Sequence, residues 1–224
     1  MTITLKRRLY VAHRKKCVPC PICRTVMLLP NQYLWDAFRD GCSFSTHSGT
    51  VRLSCVDAGS LFLPSGRLVV SDLAGSPYSA PFSLKIPPKR YPTFLAVASG
   101  FGVALSMVQF RDEAPAQWRA TRPDEFVVDS GNVCLMDAAL CAKIKRRPQS
   151  KYESFINEVD AAMLMNQDNW TNIRIGATSG GDVVAFKTFD GDGTFPSFIG
   201  LSSNNKVVCV ITDYFLRDCA IAAA

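Results

Sequence analysis

The sequence predicts an α+β fold, predominantly antiparallel or mixed β-sheet in a sandwich-like arrangement, with two helices between residues 136 and 166. Three observations predict it. From Val51 onward, short apolar runs alternate with Gly, Pro, Ser and Asp, the pattern of strands punctuated by turns. Helical periodicity is confined to one long stretch of that region. The chain has 224 residues, 48% of them hydrophobic and 20% charged, an ordinary globular balance with length enough to bury a substantial core.

Taken in order, residues 1–50 form a basic, cysteine-rich extension and residues 51–224 a single β-rich domain. The extension carries seven Lys or Arg between Met1 and Arg24 and no acidic residue, whereas the rest of the chain holds 18 basic and 19 acidic side chains. Basic residues 6–24 therefore offer a contact for nucleic acid or another polyanion, or serve simply as a solubilising terminus. Cys17-Val-Pro-Cys20-Pro-Ile-Cys23 gives three thiols at the short spacing that grips tetrahedral zinc. His13, Cys42 or His47 would be the fourth ligand; a redox disulfide and unliganded thiols are the alternatives. Residues 31–39 suit a short amphipathic helix capped by Asn31, with Tyr33, Leu34, Trp35 and Phe38 packing on the body.

Strands are expected at 51–56, 67–72, 82–86, 93–99, 103–111, 126–128, 183–189, 197–201 and 207–213. Leu63-Pro-Ser-Gly-Arg-Leu is a tight turn, Gly100-Phe-Gly102 joins two antiparallel strands, and Ser203-Asn-Asn-Lys206 does so again. Residues 137–145 favour a helix that stops before Pro148. From Lys151 to Met165, Tyr152, Phe155, Ile156, Val159, Ala162 and Met163 share one stripe, and Met163 and Met165 are expected in the core.

Several classes are excluded. No apolar run approaches the ~20 residues of a membrane-spanning helix, and no signal peptide heads the chain. Nine cysteines without such a signal point to a reducing, cytoplasmic setting. The phosphate-loop and dinucleotide patterns are missing, and the loop Gly176–Gly181 lacks the lysine. Asp190-Gly-Asp-Gly-Thr194 begins like a calcium loop, but Phe195 and Leu201 stand where that loop needs Gly and Glu.

Two stretches remain, Val128-Asp-Ser-Gly-Asn-Val-Cys-Leu-Met-Asp137 and Phe189-Asp-Gly-Asp-Gly-Thr-Phe-Pro-Ser-Phe-Ile-Gly200, each setting Asp and Gly against strand-like sequence. Asp72, Asp129, Asp137, Asp190, Asp192 and Asp213 all close or follow expected strands. Gathered at one rim they would repel unless paired, protonated or bound to a cation, so they suit a divalent-metal or acid/base site. The competing and favoured reading is that each caps a turn. A nucleophile would be Ser130 or Cys134, but the only histidines, His13 and His47, lie in the extension. Lys143-Ile-Lys-Arg-Arg147 ends a helix, where cations also complement the dipole.

At these residues the chain looks familiar. Leu63-Pro-Ser-Gly-Arg-Leu-Val-Val-Ser-Asp72, Ile86-Pro-Pro-Lys-Arg-Tyr-Pro92, the 128–137 stretch, Asn169-Trp170, Val183-Val-Ala-Phe186, Asp190-Gly-Asp-Gly-Thr-Phe-Pro196, Gly200-Leu201 and Val207-Val-Cys-Val-Ile-Thr-Asp213 follow in an order that resembles the bacterial domain-of-unknown-function family numbered 4241. The resemblance spans residues 57–216 and implies a bacterial cytoplasmic protein with an interaction or immunity role beside secreted toxins. It implies no particular reaction.

Three functions are carried forward. The first is a non-enzymatic protein-interaction module, of the immunity type that binds and blocks a protein partner, using the acidic rim with Trp118, Trp170 and Phe198 as contact aromatics. The second is a divalent-metal-dependent hydrolase in which Asp129, Asp190 and Asp192 hold the ion beside Ser130. The third is a zinc-assisted nucleic-acid binder through Cys17, Cys20, Cys23 and the basic arm.

Overall fold

Strand runs that are apolar at every position, rather than at alternate ones, must be buried on both faces. The computed structural model shows how. It describes residues 32–46, 49–74, 80–121, 126–175 and 181–215, all within the unit Asn31–Ala224. The elements are α1 (Gln32–Asp36), β1 (Ser43–Thr46), β2 (Gly49–Arg52), β3 (Ser54–Leu63), β4 (Leu68–Asp72), β5 (Lys89–Ala98), β6 (Gly102–Gln109), β7 (Gln117–Ala120), β8 (Val127–Val128) and β9 (Asn132–Asp137). They continue with α2 (Ala138–Lys145), α3 (Gln149–Leu164), β10 (Trp170–Ile175), β11 (Gly181–Lys187), β12 (Gly193–Thr194), β13 (Ser197–Leu201) and β14 (Val207–Asp213).

Two antiparallel sheets dominate: six strands in the order β3-β5-β6-β14-β13-β7, and four in the order β10-β11-β9-β4. Their facing sides share one core. Leu95, Val97, Val108 and Val210 from the larger sheet meet Val70, Val133, Leu135, Val184 and Phe186 from the smaller. The alternate residues point the other way. Val69, Cys134, Met136, Val183 and Ala185 lie under α2 and α3, against Leu140, Ile144, Phe155 and Val159. On the far side of the larger sheet, Ala96, Leu105, Met107, Cys209 and Ile211 are covered by Leu34 of α1 and Ala37 just after it, and by Phe44 and Leu53 around the β1–β2 hairpin. The strict two-residue alternation of β-strands thus feeds two cores per strand.

This is the β-rich α+β fold with two longer helices that the sequence predicts, and helices and turns fall where expected. Tyr33, Trp35 and Phe38 pack half-buried into the outer core, while the proposed Asn31 cap lies outside the described residues. The packed body includes Leu34, Ala37 and Phe44, upstream of the 50/51 boundary drawn from composition.

Other expectations need correction. Residues 82–86 form no strand among the described residues. Phe82, Leu84 and Ile86 do alternate inward to the core, but only Phe82 N–H to Leu68 O (3.0 Å) and Ile86 N–H to Gly66 O (2.9 Å) fasten the segment. Pro81, Pro87 and Pro88 remove donors at both ends, so no ladder extends. Met165 is 90% exposed rather than core, because α3 ends at Leu164 and its buried side stops at Met163. Strands β1, β7, β9, β10 and β12 go beyond the expected set; β7 and β10 are sheet edges with polar sequences, QWRA and WTNIRI, and edges carry weak apolar signal. No helix among the described residues is long and apolar enough to cross a membrane.

Candidate functional site

The six aspartates divide by burial. Asp72 ends β4 and is 3% exposed. Its carboxylate accepts the backbone N–H of Asp129 and of Ser130 (2.9 Å) on Oδ2, and Ser130 Oγ (2.8 Å) and Ala74 N–H (2.8 Å) on Oδ1. A carboxylate so supplied with donors is a clamp: it fixes the Asp129-Ser130-Gly131 turn, where Gly131 has φ +69°. Asp137, fully buried, caps α2 by accepting Ala139 N–H (2.8 Å) and holds Ser65 in the β3–β4 turn through its N–H (2.9 Å) and hydroxyl (2.7 Å). Asp213, equally buried, accepts Phe215 N–H (2.9 Å) and the Tyr33 hydroxyl (3.2 Å). Burial, then the Asp213 charge beside it, pushes the Tyr33 phenol well up.

Asp129, Asp190 and Asp192 are exposed. The two sequence stretches that hold them are neighbours in space. Thr188 donates its N–H to Gly131 O (2.9 Å), and its hydroxyl lies within reach of both Gly131 O (3.0 Å) and Gly191 O (2.7 Å). β8 pairs with β12, Val128 opposite Gly193. A Cβ built on Gly131 would lie 3.7 Å from Asp192 Oδ1. Beside this rim stands Phe101, 61% exposed at the tip of the β5–β6 turn, stacked on Phe189 with ring centroids 5.3 Å apart. Gly102 (φ +131°) packs against the carbonyls of Lys187 and Thr188, 2.9 Å from a built Cβ, so that turn abuts the rim.

Among the described residues no group of three His, Cys, Asp or Glu side chains gathers to hold an ion. Ser130 Oγ donates to Asp72 Oδ1 (2.8 Å), and Asp72 is itself taken up by three backbone N–H groups, which gives the pair a structural occupation. Cys134 lies buried in β9, where burial, with Cys141 and Asp72 adding, pushes its thiol well up; that is the opposite of an activated nucleophile. The expected contact aromatics are otherwise engaged. Trp170 packs half-buried on the main core, opposite Phe186, and Trp118 and Phe198 pack on the outer one. Cys17, Cys20, Cys23, His13 and His47 lie outside the described residues, as do residues 176–180.

Sequence reasoning missed Asp182. It is nearly buried in β11 and joins the sheets by accepting Arg90 Nη1 (2.7 Å) and Phe62 N–H (3.0 Å). A lone charge at the head of an apolar run, Asp182 before Val183-Val-Ala-Phe186, was the signal. Phe101 was also missed, although an aromatic between two turn glycines is an unusual thing to leave in water.

The fold and rim together define a two-sheet α+β domain that uses buried carboxylates as turn clamps and presents exposed ones on fixed loops. The model of the family described as protein of unknown function (DUF4241) matches residues 61–212, and the chain belongs to that family. No curated protein and no solved structure matches it.

Proposed function

We propose that the chain is a non-enzymatic protein-interaction module whose contact surface is the rim of Asp129, Asp190 and Asp192 flanked by Phe101. The observation that carries this reading is the pairing of three exposed carboxylates with an exposed aromatic on loops already held by buried hydrogen bonds. None of the three forms an ion pair among the described residues. Fixed loops bind without a large ordering cost, an aromatic supplies the apolar anchor, and the carboxylates select a basic partner surface and speed encounter. The narrower proposal is an immunity-type role, binding and blocking that partner in a bacterial cytoplasm. The five described cysteines are free thiols, which supports a reducing compartment.

The test is affinity capture from a native-host lysate at near-physiological salt, with and without nuclease. The expected result is one protein recovered in near-equal amount, indifferent to nuclease, and lost when Asp129, Asp190 and Asp192 become Asn and Phe101 becomes Ser. A partner retained by that variant overturns the proposed surface. Recovery abolished by nuclease replaces the reading with nucleic-acid binding through residues 6–24.

A further inference from the structure

Four cations surround one opening at the end of the six-stranded sheet opposite the rim. Lys89 starts β5, Arg111 follows β6, Lys206 precedes β14, and Lys85 comes from the proline-flanked segment after β4. They line a groove of about 560 Å³ together with Pro87, Val207 and the nearly buried Ile86, Tyr91 and Phe110; the Lys89 ammonium lies 5.0 Å from the Tyr91 ring centroid. Asp112 is the one carboxylate of the lining, and no ion pair engages any of the four cations among the described residues. Phe101 lies at the far end of β6, whose eight residues span roughly 25 Å. The groove is thus separate from the proposed interaction surface.

Its walls are fixed by the chain itself. The Tyr91 hydroxyl donates to Pro87 O, and the Tyr91 ring meets Phe110 edge-on at 5.0 Å. Ile86 N–H bonds Gly66 O (2.9 Å), Arg111 N–H bonds Val208 O (3.1 Å), and Lys206 N–H bonds Ser202 Oγ (3.1 Å). The backbone positions that carry these four cations are therefore fixed around one cavity, where like charges repel one another less once an anion enters. A single negative charge leaves most of that repulsion in place; a multiply charged phosphate offsets it, with lysines as point charges and arginine as a two-pronged donor. The volume is that of small-molecule sites, about 300–1,000 Å³.

We propose that this groove binds a small phosphorylated molecule, its phosphates held by Lys85, Lys89, Arg111 and Lys206. The test is calorimetric titration of the full chain with ATP and with inorganic pyrophosphate, alone and in competition. The expected result is saturable binding of ATP, displaced by pyrophosphate and weakened about tenfold or more in Lys89→Gln/Lys206→Gln. Both lysines are exposed, so the variant keeps the wild-type melting temperature. An Arg14→Gln/Lys15→Gln/Lys16→Gln chain binds as wild type. No saturable binding of either probe overturns the proposal, and so does ATP binding that pyrophosphate cannot displace or that only the Arg14/Lys15/Lys16 variant loses. Tighter groove-dependent binding of a single-stranded oligonucleotide than of ATP overturns the small-ligand class.

Discussion

Burial decides what each titratable side chain does. Cys209 in β14 sits beneath Gly200, close enough that a Cβ there would come within 2.7 Å of its sulfur. Burial pushes its thiol from the ordinary 9.0 up to about 12, partly offset by a hydrogen bond to the Gly200 backbone. Below pH 9 both folded and unfolded chains keep this proton, and stability is independent of it. Between pH 9 and about 12 the unfolded chain releases a proton that the folded chain retains, so stability falls as pH rises. The buried Cys134 and Tyr214 shift in the same direction. Urea unfolding should therefore give flat stability from pH 7 to 8.5 and a decline above pH 9, at up to about 1.4 kcal/mol per unit for each such group. Cys209→Ala should reduce that slope; an unchanged slope would contradict the assignment.

At the scale of elements, the turn between β3 and β4 is the most constrained connection. Gly66 has φ +68°, and a Cβ there would lie 2.1 Å from Ile86 O. Gly66→Ala meets both a left-handed backbone and a backbone clash, so it should cost roughly 2–4 kcal/mol in urea unfolding. A loss under about 0.5 kcal/mol would mean the 82–86 segment is not held there. How legible an element was in the sequence follows from how many faces it buries. Strands β11 and β14, covered on both sides, announce themselves as apolar runs, whereas β9, equally covered, runs directly from the Asp129-Ser130-Gly131 turn into α2. Edge strands β7 and β10 read as loops because Gln, Arg, Thr and Asn fill their solvent side. Segment 82–86 shows strand alternation without a ladder, since alternation reports burial while pairing also needs donors that its prolines lack. The candidate site was half legible. The sequence located the Asp-Gly turns, but which carboxylates are clamps depends on β4 and β9 pairing side by side, a contact across sixty residues that local pattern does not encode.

At the scale of the whole molecule, layers predict a gradient of local stability. In native-state hydrogen exchange the central strands β5, β6, β9, β11 and β14, each between two cores, should exchange slowest, and edge strands β7 and β10 fastest. Equal protection across a sheet would contradict the layered account. The same layering leaves the strand ends as the polar surface, an acidic rim at one end of the larger sheet and a basic groove at the other. The central claim is that the strand-end aspartates divide into buried clamps and an exposed set free for recognition. Equilibrium urea unfolding of Asp72→Ala beside Asp129→Asn/Asp190→Asn/Asp192→Asn tests it most directly. Asp72→Ala strands backbone donors in a buried turn and should cost about 3 kcal/mol. The triple variant, despite three substitutions, should stay within about 0.5 kcal/mol of wild type. A triple variant that unfolds as readily as Asp72→Ala would contradict the division and return the rim aspartates to a structural role.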